Sequence, residues 1–169
     1  MNKKNIGTIR GLFLCIILMV FSVGTLIGCR GSRVDFTIAL QDWGNGGIGG
    51  RKNLIVTCSN DWKELNFYSP IISKSLAEKL EELNQRYGEQ FFINNAVVVF
   101  TFGFSTSGIR YNEIRLNRSG DELKLEVIVE VGFAETPSFG IVILEISNEN
   151  ISENTTLNAI IIREGLNVY

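Results

Sequence analysis

The 169-residue sequence contains no histidine. That absence removes the commonest general base and the commonest metal ligand together. A serine or cysteine nucleophile activated by imidazole is excluded, and so is zinc held by clusters of Cys and His. Cysteine is scarce as well, at Cys15, Cys29 and Cys58 alone. There is no phosphate loop ending in Gly-Lys-Ser or Gly-Lys-Thr, and no calcium loop of the D-x-D-x-D-G type. Ser73-Lys74-Ser75 lacks the S-x-x-K spacing that sets a serine and a lysine on one helical face. No metal and no cofactor is expected.

What is present begins at the amino terminus. Met1 to Arg10 carries Lys3, Lys4 and Arg10 without an acidic residue, and Gly11 to Leu26 is almost free of polar side chains. A basic segment followed by a short apolar run is the layout of a secretion signal. The run falls a little short of the ~20 residues that span a bilayer comfortably. Leu26-Ile27-Gly28-Cys29 then resembles the lipobox of bacterial lipoproteins. In that motif the Cys thiol takes a diacylglyceryl group, and small residues before it admit the signal peptidase. The resemblance implies a removed signal over 1–28, and residues 29–33 as the lipidated Cys29 with a short tether. Residues 34–169 follow as a single exported domain. The competing reading is an uncleaved anchor helix with an incidental Cys.

Lipidation at Cys29, with palmitate-type chains, implies a lipid-anchored protein on the extracytoplasmic face of the cell membrane. Two acyl chains suffice for stable attachment where one is marginal. Arg30 is not the Asp that commonly retains lipoproteins in an inner membrane, so a host with two membranes is expected to send it to the outer one. Arg30 and Arg33 are placed to meet anionic headgroups, each worth about 1 kcal/mol near a charged surface.

Loss of 1–28 leaves 141 residues, enough for one domain with a proper core. The mature part has 13 basic against 18 acidic residues, a net charge of −5. That balance argues against a nucleic-acid partner, which selects for a basic patch. Cys15 leaves with the signal and Cys29 is lipidated, so no internal disulfide is available and packing must stabilise the domain.

Along the mature chain, Val34 to Leu40 alternates in period two and Asn53 to Cys58 forms a second strand-like run. Between them, Gly44 to Gly50 is a flexible loop. It contains G-x-G-x-x-G at Gly44, Gly46 and Gly49, but a strand follows where a dinucleotide site needs a helix. Ser59-Asn-Asp61 offers caps for a short helix near 60–66. Leu76, Leu80, Leu83 and Tyr87 make one stripe of an amphipathic helix over about 75–87, with Ser75 and Glu78 as a capping box. Ala96 to Phe104 is apolar on both faces, as a central strand should be. Tyr111–Arg118 and Leu123–Val131 flank a hairpin turn at Ser119–Glu122, and Ile141–Ile146 and Leu157–Arg163 add two more strands. The expected class is α+β, mostly β: an antiparallel sandwich or a strongly curved sheet carrying one amphipathic helix.

Tyr87-Gly-Glu-Gln-Phe-Phe-Ile-Asn-Asn-Ala-Val-Val-Val-Phe100 resembles a signature of small bacterial lipoproteins, a tyrosine and an acidic residue, then Phe-Phe, then an apolar strand. These proteins are related to the C-terminal domain of the protease accessory subunit PrcB. Ser105 to Tyr111 and the hairpin after it extend the resemblance over about residues 50–147. It departs from the group near Ser107-Gly108 and over Phe133 to Gly140. The resemblance implies a small β-rich domain of immunoglobulin-like shape without an established enzyme activity. It also implies that some members stabilise a secreted protease complex, and it carries over no site residues.

Candidate sites are few. Cys58 ends an apolar strand and is expected as a small buried core residue. Glu78, Glu81 and Glu82 form a solvated helix face rather than a catalytic carboxylate pair. Phe133, Pro137 and Phe139 lie on a connection between strands, where they either anchor a partner or fold back over the core. Trp43 carries the same ambiguity. The function expected is a non-enzymatic surface module that holds another exported protein; the alternative is a small-ligand-binding or hydrolytic envelope enzyme working without histidine.

Overall fold

The structure, a computed structural model, describes residues 31–45, 52–65, 67, 73–104, 107–134 and 138–164. The strands are β1 (Ser32–Arg33), β2 (Phe36–Asn45), β3 (Asn53–Val56), β4 (Asn95–Phe104), β5 (Ser107–Ser119), β6 (Glu122–Ala134), β7 (Ser138–Ser147) and β8 (Thr156–Glu164). Helices α1 (Ser59–Glu64), α2 (Lys74–Arg86) and α3 (Glu89–Phe92) lie between β3 and β4. One sheet has the order β2-β7-β4-β3 and is antiparallel throughout. The other has the order β1-β5-β6-β8, with β8 parallel to β6.

Two cores form back to back on the first sheet. Ala96, Val98, Phe100 and Phe102 of β4, with Val142, Leu144 and Ile146 of β7, meet Ile114, Leu116, Leu123, Leu125, Val127 and Val129 of the second sheet. The alternate residues of the same strands turn the other way. Val97, Val99, Ile141 and Ile143 pack against Trp62, Leu76, Leu80, Leu83, Tyr87 and Phe92 of the helical layer. Two-sided burial explains why these runs lack the polar alternation of a surface strand. The second sheet keeps it. In β6, Leu123, Leu125, Val127 and Val129 are buried while Lys124 is exposed on the opposite face. The mostly-β sandwich with a helical layer is therefore the observed architecture.

Each of the seven runs with strand character becomes a strand. β1 is an addition: Ser32 and Arg33 pair with Arg118 and Asn117 of β5, and Val34 N–H donates to the Leu116 carbonyl at 2.9 Å. Two residues read as tether are thus part of the sheet, and the chain crosses from one sheet to the other at Val34–Asp35. The β5–β6 turn has Gly120 at φ 61 with no positive φ at Asp121, the type II′ arrangement suited to a two-residue hairpin.

The helices follow expectation in their faces and differ in their caps. Leu76, Leu80, Leu83 and Tyr87 are all buried, each leucine worth about 1.5–3 kcal/mol of burial. The cap of α2 is Ser73, whose hydroxyl accepts from Leu76 N–H at 3.2 Å, so Ser75 is a first-turn residue and not the box. The cap of α1 is the Cys58 thiol, accepting from Asp61 N–H at 3.4 Å. Both displacements put the cap one or two residues earlier, where the backbone is still extended.

The two ends of the sandwich differ. Ser32, the β5–β6 turn and the 148–155 connection share one end, tied together by Arg118 to the Glu149 carbonyl and by Thr156 N–H to the Asp121 carbonyl. At the other end β2 finishes at Asn45, β4 at Phe104 and β6 at Ala134. Here the sheets are joined by Tyr111, whose hydroxyl donates to the Asp42 carbonyl at 2.6 Å. Gly140 permits this approach, because a Cβ there would collide with the Phe102 ring and lie 2.9 Å from the Tyr111 hydroxyl. Gly140→Ala should destabilise the fold by about 1–3 kcal/mol, an overpacking cost. Urea unfolding of the variant measures it, and an unchanged midpoint would contradict the contact.

Candidate functional site

The chemistry nearest the core is a buried carboxylate. β7 runs Ile141-Val-Ile-Leu-Glu-Ile146, and Glu145 takes the helix-facing side with only 8% of its surface exposed. The end of α2 supplies both partners. Arg86 meets one carboxylate oxygen at 2.7 Å, and the Tyr87 hydroxyl donates to the other at 2.9 Å. Around the Tyr87 ring stand Trp62 edge-on at 4.6 Å, Phe91 at 4.6 Å and Phe92 at 6.1 Å. The Trp62 indole N–H is satisfied in turn by Asn84 at 2.9 Å. Both oxygens of Glu145 are engaged by neighbouring side chains. The cluster locks the helical layer to the sheet. The sequence signal for it was a single Glu within a run apolar on both faces, which an assignment by strand pattern passes over.

Two concavities flank the end of the sandwich that carries Ser32. The larger, about 550 Å³, is lined by Ile55, Thr57, Asn148, Ile151, Ser152, Glu153 and Thr155, within the usual size of ligand clefts. Its polar groups are largely committed already. The Asn148 amide donates to the Phe92 and Ile93 carbonyls, and the Ser152 hydroxyl bonds to Asp121 and Thr155. Among the described residues no lysine lines it to activate a serine, and Glu153 is its one carboxylate. The smaller, about 240 Å³, brings Asp35 near Glu145. A carboxylate pair for glycoside hydrolysis works on a substrate between the two groups, whereas both oxygens of Glu145 are bonded to Arg86 and Tyr87. Among the described residues no group of three or more Cys, Asp or Glu side chains is arranged to hold a metal.

The residues singled out by sequence fall in different places. Cys58 is a free thiol of intermediate exposure at a helix cap, not a buried core residue. Phe139 belongs to β7 and is 5% exposed in the core beneath the helices, so it is not available to a partner. The side chain of Phe133, together with Pro137, lies outside the described residues, as do Leu26, Ile27, Gly28 and Cys29. Trp43 stays on the surface at 42% exposure, near the end opposite Ser32. Gly44 belongs to β2, and the glycine segment leads into β3 rather than into a helix, which removes its resemblance to a dinucleotide loop. No family model matches the chain, and neither a curated protein nor a solved structure matches it.

Two phenols give the domain a measurable pH response. Burial, and then the bond to Glu145, push the Tyr87 hydroxyl far above its ordinary value of 10.0. Burial, reinforced by the Asp42 charge, does the same for Tyr111. The folded state keeps both phenols protonated while the unfolded chain releases its protons near pH 10. Their contribution is therefore complete below that pH and lost as the pH rises through and above it. Tyr87→Phe should lower stability by about 1 kcal/mol at neutral pH and make the alkaline decline shallower. Urea unfolding of both proteins from about pH 8 to 11 tests this, and parallel declines would contradict the assignment.

Proposed function

We propose that this chain is a lipid-anchored extracytoplasmic module that binds and stabilises another exported protein and performs no catalysis itself. The observation that carries the reading is Leu26-Ile27-Gly28-Cys29 placed immediately ahead of a self-contained fold. The described core begins at Val34, so cleavage before Cys29 removes none of it. The partner half of the proposal rests on the clefts' polar groups being bonded within the fold, Asn148 and Ser152 in the larger and Glu145 in the smaller. The resemblance to PrcB-related lipoproteins, read over about residues 50–147 and carried most by Tyr87 to Phe100, belongs to the same proposal, and it suggests a secreted protease complex as a class of partner.

The anchor is testable in growing cells. With labelled palmitate in the medium, the native chain should carry label at Cys29 and migrate as the processed form. Cys29→Ala should carry none and accumulate at full length. A variant still labelled and still processed refutes the anchoring. Affinity capture of the mature protein from membrane extracts should then recover one specific exported protein, and repeated recovery of none refutes the partner.

A further inference from the structure

We infer that the end of the sandwich carrying Ser32 is a membrane-seating surface, with Ile93 entering the interfacial layer of an uncharged or zwitterionic bilayer. The inference rests on the lipid-anchor reading and adds to it an orientation and a contact residue.

Ile93 is 61% exposed, against 45% for Ile38 and 42% for Trp43, the other large apolar side chains on the described surface. It stands between α3 and β4 on a turn that is firmly held. The Asn148 side-chain amide donates to the Phe92 carbonyl at 2.9 Å and to the Ile93 carbonyl at 3.2 Å, and Asn148 N–H donates to the Asn94 carbonyl at 2.9 Å. An apolar side chain fixed in water by three hydrogen bonds gains nothing for the core.

Register places this turn at the anchor end. Asn95 pairs with Ser147 of β7, and Phe36 pairs with the adjacent Ile146, four residues after Ser32. Two residues separate Cys29 from Ser32, so the three chain steps reach at most about 11 Å. A lipid on Cys29 would therefore hold this end of the domain against the headgroup layer. Trp43 lies towards the opposite end: its neighbour Asp42 meets Tyr111, seven residues along β5 from Arg118, roughly 23 Å away.

Charge decides the kind of surface. Arg118 turns its guanidinium to the Gly120 and Glu149 carbonyls, and Arg33 pairs across the sheet with Asn117. The 148–155 connection brings Glu149 and Glu153 to this end, beside Asp121 of the turn. Asp121, Glu149 and Glu153 thus stand at this end with Arg33 and Arg118 and offset their attraction to anionic headgroups. Seating depends on the apolar side chain and is weakened by anionic lipid.

The test uses the full chain, processed in cells and reconstituted into phosphatidylcholine vesicles. Nitroxide labels are placed through Ile93→Cys or Trp43→Cys, each in a Cys58→Ser background that keeps an oxygen to cap α1. Collision rates with oxygen and with a water-soluble nickel chelate are compared. The label at 93 should collide more with oxygen and less with nickel than the label at 43, and vesicles doped with phosphatidylglycerol should raise its nickel access. Equal nickel access at the two positions overturns the seat, and so does a fall in nickel access with anionic lipid. Mass analysis of the same samples separates the two failures. A diacylglyceryl adduct on Cys29 with residue 93 in water overturns the seat alone, and no adduct overturns the anchor and the seat together.

Discussion

Everything in this domain depends on one sheet being apolar on both faces. β4 and β7 form its middle and send alternate side chains into two separate cores. A sheet of this kind cannot be left bare on either side, because each exposed face would return several apolar side chains to water at about 1.5–3 kcal/mol each. The second sheet covers one face and the helical layer covers the other. Glu145 is the exception on the helix side, and it is tolerated because Arg86 and Tyr87 satisfy both its oxygens. The same pair fixes where α2 ends and α3 begins, so the buried carboxylate works as a registration point for the helical layer.

Much of this was legible in the residues. Ala96 to Phe104 and Ile141 to Ile146 are too apolar for surface strands, and the Leu76, Leu80, Leu83, Tyr87 stripe names the face of α2 that packs. Those patterns are local, and local patterns survive folding. What was not legible depends on partners distant in sequence. β1 is two residues long and exists only because Arg118 and Asn117 offer an edge to pair with. The parallel placement of β8 on β6 follows because β7 finishes at the end where β6 starts and the 148–155 connection crosses there to the other sheet. Phe139 could be read from sequence as loop or core, and the length of β7 decides for core.

The caps teach a narrower lesson. Ser73 and Ser75 are equally good cap residues, and only the backbone of Ser73, still extended at φ −61 and ψ 147, distinguishes them. Cys58 was read as a core residue from the apolar run before it, yet it stands where the strand has already ended and a helix needs an acceptor. As for a functional site, the charged cluster around Glu145 holds the layers together and the larger cleft uses its polar groups internally. The proposed role therefore rests on the segment ahead of the fold and on the polarity of the sandwich, with Ser32 at one end and Trp43 towards the other.

The claim that the two cores share one load-carrying sheet is tested most directly by residue-resolved hydrogen exchange of the native domain. The account predicts that the amides of Val97 to Phe100 and Ile141 to Leu144 exchange slowest, through global unfolding alone, while amides of β8 and β1 exchange through smaller openings. Protection that is greatest in the β5–β6 hairpin, with β4 and β7 opening independently of global unfolding, would contradict it.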